Sequence, residues 1–199
     1  MIRETVRTPM MLPTHVLVGM SLATPVAIAF PGVAPVVVAG AVAGSILPDL
    51  DVVARHRQTL HFPTGYAVAA IPAGVVAVAA PTPATIGIAT GIVAAAVHCR
   101  MDAYGGSHEL RPWERNTDRA VYDHVRGEWQ PAKRWVRYDG SRSDLFVSLI
   151  AAVPPVLLLP EPSRKIVVGA IAIAFVYTAF RRRVPGLIDV IVDRLRPGS

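Results

Sequence analysis

Residues 62–97 run for 36 positions without an aspartate, glutamate, lysine or arginine, and residues 16–47 run for 32 more. Two shorter stretches, 145–160 and 166–180, are also uncharged. A helix on the surface of a soluble protein needs a polar face; these stretches offer none, and together they make up half of the 199 residues. Charged residues are 17% of the chain, against about 25% in soluble domains. The pattern predicts a polytopic integral membrane protein built of helices. It excludes a disordered chain, a coiled coil and a collagen-like repeat. The single cysteine, Cys99, excludes an intrachain disulfide framework.

Prolines and glycines cut the two long runs, because proline lacks a donor and clashes with the preceding turn. Pro31-Gly32 separates 16–30 from 33–47, and Pro81-Thr82-Pro83 separates 64–80 from 84–97. With 145–159 and 166–180 this gives about six apolar helices, each shorter than the ~20 residues of a typical span. Residues 11–30, 83–101 and 163–180 extend three of them; the second and fifth are read as tilted, thinly spanning or partly re-entrant. Pro25, Pro72 and Pro154-Pro155 predict kinks. Gly40-x-x-x-Gly44 and Gly87-x-x-x-Gly91 would let helices approach closely. The expected architecture is an all-α membrane bundle. It has an N-terminal tail at 1–11, a four-helix half at 12–98, an interfacial cap at 99–143, a two-helix half at 144–180 and a basic tail at 181–199. Arg7, the first apolar run and Ala27-x-Ala29 imitate a signal peptide, but the second apolar run follows too closely. Met11 is an alternative start.

Six spans would place both ends of the chain on one side. Of 20 lysines and arginines, 18 then lie on that side, and Arg164 and Lys165 on the other. The positive-inside rule makes the crowded side cytoplasmic, in the inner or plasma membrane, with Arg181-Arg182-Arg183 anchoring the last span. Topology thus accounts for the net charge of +6. No nucleic-acid motif accompanies it, so membrane lipids are the expected partners; the sequence names no protein partner.

All six histidines fall on the same side. His15 opens the first apolar segment, Pro48-Asp49-Leu50-Asp51 closes the second, His56 and His61 precede the third, and His98 and Asp102 close the fourth. The last two are four apart and share a helical face. Imidazole and carboxylate are the ligands divalent metals take when thiolates are not offered. His15, Asp49, Asp51, His61, His98 and Asp102 are therefore candidate ligands for one or two ions, zinc or manganese. A bound ion would lower the pKa of its water to about 7. Asp51 and His56 are candidates for moving protons, and Arg57, with Arg55 or Arg100, for holding a phosphate. Each residue also has a plainer reading: His15 as an interfacial side chain, Pro48-Asp49 as a turn, Asp51 as a cap, His98 and Asp102 as a helix-end pair, Cys99 as a small buried residue. Their coincidence at one level favours a site.

These elements resemble the membrane-bound metal-dependent hydrolase family of DUF457-like inner-membrane proteins. They read Thr14-His15, Leu47-Pro48-Asp49-Leu50-Asp51, His56-Arg57-Gln58-Thr59-Leu60-His61, and His98-Cys99-Arg100-Met101-Asp102 with Gly105-Gly106. The likeness covers roughly residues 12–112, and the stretch from His56 to Pro63 looks like the archaeal members. The family's third element usually reads Thr-His-Ser, where this chain has Leu60-His61-Phe62. The resemblance implies a helical membrane protein with a hydrolase site, and supplies no substrate.

Residues 99–143 hold all three tryptophans, three of the five tyrosines, nine basic and seven acidic residues. Thr117 can cap a helix over 118–126 that Gly127 would stop. The segment reads as an amphipathic cap on the headgroups; the alternative is a lid from which His108, Glu109, Asp123 or His124 reaches the metal layer. The chain has no Gly-rich phosphate loop, Gly-x-Ser-x-Gly elbow, His-Glu-x-x-His pair or Cys-x-x-Cys pair, which excludes the usual nucleotide, serine-hydrolase, zincin and zinc-ribbon sites. The expectation is a metal-dependent hydrolase acting on a phosphoester of a lipid or lipid-linked molecule at the cytoplasmic interface. The alternatives are a non-enzymatic protein that binds or passes a divalent metal, and a purely structural membrane protein. A conduit should carry ionisable groups near the midplane, and the apolar segments carry none.

Overall fold

The computed structural model describes residues 12–195, so the expected tail at 1–11 lies outside the described residues. Its helices are α1 (Leu12–Ala29), α2 (Ala34–Ile46), α3 (Pro63–Ala79), α4 (Pro83–Tyr104), α5 (Arg142–Leu158), α6 (Ser163–Phe180) and α7 (Val184–Leu195). Short 3-10 turns flank α2 at Pro31–Val33 and Leu47–Val53. Proline sits at or beside the start of α2, α3 and α4, where its missing N–H costs nothing and its fixed φ favours the helix. Thr82 and Thr85 close a capping box at the head of α4, and the Ser141 side chain accepts from the Asp144 N–H at the head of α5. Pro25, Pro72, Pro154 and Pro155 all lie inside helices.

Among the described residues, four segments are long and apolar enough to cross a membrane: Leu12–Ala29, Pro31–Val53, Pro83–Tyr104 and Ser163–Phe180. This corrects the expectation of six spans. Pro63–Ala79 is apolar but only 17 residues long, and Arg142–Leu158, of the same length, carries Arg142 and Asp144 in its first turn. A seventh helix, α7, occupies most of the expected basic tail, because Leu187, Val190 and Ile191 recur at helical spacing there.

The helices pack in sequence neighbours, α1 with α2, α3 with α4 and α5 with α6; α1 joins the halves by also packing on α5 and α6. The core is Leu17, Met20, Val37, Ala41, Leu159 and Val167, all essentially inaccessible. Large apolar side chains on the outer faces, among them Ile71, Val78, Leu157 and Val176, are exposed, as lipid-facing residues should be. The most extensive helix pairing is α2 with α4. A Cβ at Gly40 would strike the Gly87 carbonyl, and one at Gly44 the Gly91 carbonyl. The two small-residue motifs seen in the sequence therefore form one seam of backbone against backbone.

Residues 119–131 correct two expectations, the all-α class and the helix at 118–126. They form an antiparallel hairpin, β1 (Arg119–Asp123) and β2 (Glu128–Pro131), with Tyr122 opposite Trp129 and Asp123 opposite Glu128. The Asp123 carboxylate accepts from the N–H groups of Val125 and Arg126 and closes the turn. Gly127, the expected helix stop, has φ of +69° in that turn. Val121 and Tyr122 favour extended backbone, and β1 is anchored on both sides: Tyr122 N–H donates to the Arg57 carbonyl at 2.9 Å, and His108 N–H to the Arg119 carbonyl at 2.9 Å.

Candidate metal centre

The head of α1, the end of α2, the loop before α3 and the end of α4 meet at one end of the bundle. The closeness of α2 and α4 makes this possible, since the glycine seam ends one residue before Ser45, whose carbonyl accepts from His98 Nδ1 at 2.7 Å. Gly19 of α1 lies against the Ser45 hydroxyl, with no room for a Cβ. His15, Asp49, Asp51, His56, Arg57, His61, His98 and Asp102 all converge here, each at most 6% exposed. These eight expected residues are thus in one buried layer, and Arg55 and Arg100 are exposed outside it.

Hydrogen bonds fix which atom each imidazole presents. A carbonyl only accepts, so His98 carries a proton on Nδ1 and turns Nε2 towards Asp49 and Asp102. His61 Nδ1 faces Asp51 Oδ2 at 2.9 Å, and its Nε2 points the other way, 3.0 Å from Asp102 Oδ2 and 3.6 Å from Asp49 Oδ1. His98 Nε2 lies 3.4 Å from Asp49 Oδ1 and 3.6 Å from Asp102 Oδ2. His15 Nε2 approaches the other oxygen of Asp102, Oδ1, at 3.3 Å. Neither oxygen of Asp49 or Asp102 has a hydrogen-bond partner, nor do Nε2 of His61 and Nε2 of His98. Buried carboxylates in this condition are costly. Imidazole nitrogens aimed at carboxylate oxygens need a proton or a metal cation between them; a bound ion would take the place of the protons.

The spacing suits a metal ion. Two ligands held at roughly 2.0–2.1 Å by a tetrahedral ion stand about 3.3 Å apart. The four imidazole–carboxylate separations between His61 or His98 Nε2 and Asp49 Oδ1 or Asp102 Oδ2 run from 3.0 to 3.6 Å. Two triads, Asp49 with His61 and His98, and His15 with His98 and Asp102, each offer ligand atoms within 4.8 Å of one another. They share His98, whose Nε2 faces both Asp49 and Asp102, so an ion held by either triad would lie beside the remaining carboxylate of the layer.

Asp51 stands apart from its neighbour Asp49. Its Oδ1 faces His56 Nδ1 at 2.9 Å and accepts from Arg57 N–H; its Oδ2 faces His61 Nδ1 and accepts from the N–H groups of Gln58 and Leu60. It orients two imidazoles and shapes the loop that carries them, the supporting role that carboxylates play behind metal-bound histidines. Burial would strip the proton from His61, but Asp102 and Asp51 outweigh it, and its pKa stands above the ordinary imidazole value.

The Arg57 guanidinium is buried. It donates from Nη1 to the carbonyls of Gly106 and Ala120 at 2.8 and 3.3 Å and from Nη2 to Asp139 Oδ2 at 2.7 Å, with Nε 4.0 Å from Asp102 Oδ2. Burial disfavours its charge, but Asp102, Asp139 and Asp49 more than compensate. Its residue also has φ of +59°, a left-handed backbone uncommon outside glycine. Burial raises the pKa of Asp139, with Arg57 opposing. Sequence reasoning passed over Asp139, whose one signal is the Asp139-Gly140 turn. It also passed over Asp144, which accepts from Thr14 Oγ1 at 2.9 Å and ties α5 to the head of α1 next to His15.

The cap side chains point elsewhere. His108 Nδ1 meets the Arg119 carbonyl, Glu109 accepts from Ser107 and Asn116, Asp123 accepts from Thr64 Oγ1, and His124 Nε2 meets the Gln58 carbonyl. These contacts place the segment as a cap over the 54–64 loop. Cys99 is fully buried. The chain matches no family model, no curated protein and no solved structure, so the chemistry of this buried layer carries the functional argument.

Proposed function

We propose that this protein is an integral membrane metal-dependent hydrolase with its centre at the cytoplasmic interface, and that it cleaves a phosphoester of a lipid or lipid-linked molecule. One observation carries the reading: buried imidazole nitrogens of His61 and His98 face buried carboxylate oxygens of Asp49 and Asp102 at 3.0 to 3.6 Å, and two triads in this layer have ligand atoms close enough to share an ion. A divalent ion, zinc or manganese, would supply Lewis acidity and an activated water there. Asp49, His61 and His98, or His15, His98 and Asp102, would hold it. Asp51 keeps His61 aimed inward and orients His56 by Nδ1, and His56 is the residue that would move a proton. Arg57 fixes the loop and the charge state of Asp102, and exposed Arg55 and Arg100 give the approach a positive charge.

A lipid substrate is supported by an apolar groove of about 580 Å³ between α1, α3 and α4, lined by Gly19, Ala23, Phe30, Gly74, Ile86 and Ala94 among others. Gly19 and Ala94 each lie one helical turn from a site histidine, His15 and His98. A hydrocarbon chain in the groove would bring its polar end to the layer. The reading agrees with the resemblance to the DUF457-like membrane hydrolases.

The burial of every ligand favours, as a second reading, a membrane protein that binds a divalent ion without turnover. The detergent-purified chain, loaded with zinc or manganese and offered a panel of lipid phosphoesters, separates the two. The first reading expects hydrolysis that Asp102→Asn abolishes. Silence across the panel with metal still bound selects the second.

A further inference from the structure

A second cavity, of about 880 Å³, opens between the head of α5 and the end of α6. Arg137, Arg142, Arg181 and Arg182 line it together with Ser141 and Ser143, and none of its lining residues is acidic. It shares no residue with the metal layer. Arg137, Arg142 and Arg182 are exposed, and no ion pair among the described residues uses any of the four.

Arg181 is the unusual member. It is 2% exposed, and its hydrogen-bond partners are neutral: Nε donates to the Asp139 carbonyl at 3.0 Å and Nη2 to the Leu110 carbonyl at 3.1 Å, and the guanidinium lies 5.1 Å from the Trp113 ring centroid, while the Asp139 carboxylate that acts on it through space is hydrogen-bonded to Arg57. Its Nη1 has no hydrogen-bond partner. One carboxylate, Asp139, is thus shared between two buried guanidinium groups, and Arg181 keeps a donor for a further anion. The wall beside it is built closely. Gly140 has φ of +76°, and a Cβ there would press on the side chains of Tyr177 and Arg181. The head of the 17-residue helix α5 adds its positive dipole end to the same cavity.

The surroundings name the source of the anion. Phe146, at the cavity's edge, is 64% exposed. Beyond it run the exposed apolar side chains of α5 and α6, Ile150, Val153, Phe175 and Val176. A shallow apolar depression of about 540 Å³ on α6, lined by Ala172, Ile173, Val176, Tyr177 and Phe180, continues the track. A soluble phosphate would use the arginines alone; an anionic phospholipid uses both the arginines and the track. Basic pockets between membrane helices recognise phosphorylated headgroups in this way. We propose that this cavity binds the phosphate headgroup of an anionic phospholipid, with its acyl chains along α5 and α6.

The test measures lipid binding to the full detergent-purified chain by native mass spectrometry, with dioleoyl-phosphatidylglycerol, dioleoyl-phosphatidylcholine and inorganic phosphate as probes. Arg181 supports the fold, so the test uses the exposed pair in the double variant R137Q/R142Q. Phosphatidylglycerol should bind in preference to phosphatidylcholine, and the double variant should bind it roughly thirtyfold more weakly, the loss expected for two arginines at a headgroup. R126Q, on the distant hairpin, should bind as the wild type does. Metal content should be unchanged in R137Q/R142Q, which keeps this result separate from that of the metal centre. Equal binding of the two lipids, unaltered binding by the double variant, or full displacement by inorganic phosphate at millimolar concentration would each overturn the proposal.

Discussion

The imidazole rings of His15 and His98 lie stacked, their centroids 3.9 Å apart and their planes 22° from parallel, although one opens α1 and the other closes α4. Two stacked imidazolium rings would repel, so the pair carries at most one positive charge comfortably. The stack leaves both rings edge-on to Asp102, His15 at Oδ1 and His98 at Oδ2. Asp102 is therefore the residue on which α1 and α4 agree.

That arrangement ranks the ligands. Asp49→Asn and Asp102→Asn each remove a charge that faces the ion directly, and should leave purified protein with almost no bound zinc by elemental analysis. Asp51→Asn acts behind His56 and His61 and should weaken binding by about 10–100-fold, the usual effect of a supporting carboxylate. His15→Phe keeps the stack but loses the nitrogen, and should also weaken binding without abolishing it. Equal metal content in all four variants and the wild type would remove the centre.

The seam of α2 and α4 allows a test of packing. Gly44→Leu places a side chain against the Gly91 carbonyl and should destabilise the protein by about 1–3 kcal/mol or more, as overpacking does. It should also draw Ser45 away from His98 and lower zinc content. Gly169→Leu is the control, because a Cβ there meets nothing within 4 Å. Thermal unfolding in detergent and elemental analysis read both effects.

Gly74 separates the groove from the metal. A Cβ at Gly74 meets no neighbour, yet the residue lines the apolar groove. Gly74→Leu should fold well, since it replaces a poor helix former, and should keep its metal. If the groove seats the substrate's hydrocarbon chain, the variant should lose turnover of long-chain lipid phosphoesters far more than turnover of a short-chain analogue. Equal losses on both would exclude the groove from substrate binding.

The hairpin supplies a pH dependence. Burial would raise the pKa of Asp123, but hydrogen bonds from Thr64, Gln130 and the N–H groups of Val125 and Arg126 outweigh it, so the carboxyl sits below its ordinary 3.8. A depressed carboxyl stabilises the folded state above its unfolded pKa and loses that contribution as the pH falls through the folded value. Hairpin docking should therefore hold from pH 7 to about pH 4 and weaken below it. Asp123→Asn should cost about 1–3 kcal/mol at pH 7, and the gap to wild type should close under strong acid. Hydrogen exchange at Tyr122 follows the docking directly.

The helices and the metal layer were legible in the sequence because both rest on local signals. Absence of charge marked the apolar segments, proline marked the helix starts, and the spacing of His98 and Asp102 placed two ligands on one face. Gly40, Gly44, Gly87 and Gly91 announced their seam in the same way. The division of labour between Asp49 and Asp51 was not legible: two residues apart, they look equivalent until the turn Leu47–Val53 aims one inward and the other at His56 and the loop. Nor was the hairpin, whose strand is set by a carbonyl on distant Arg57 and a hydroxyl on Thr64. The charge at Arg181 was visible as an anchor, but the cavity it lines exists only once α5 and α6 are side by side.

Arg57 links parts of the chain that are made at different times. Its guanidinium is satisfied by Gly106, Ala120 and Asp139, all of which leave the ribosome after the first four helices. A nascent chain ending at Tyr104 holds every ligand of the layer and none of these three partners. The ligand-bearing helices can thus insert first, while the loop between Val53 and Pro63 lacks what fixes its central arginine. The loop is fixed only when residue 139 has emerged, so any capture of a metal by this layer would belong to the chain through Asp139 rather than to its N-terminal half.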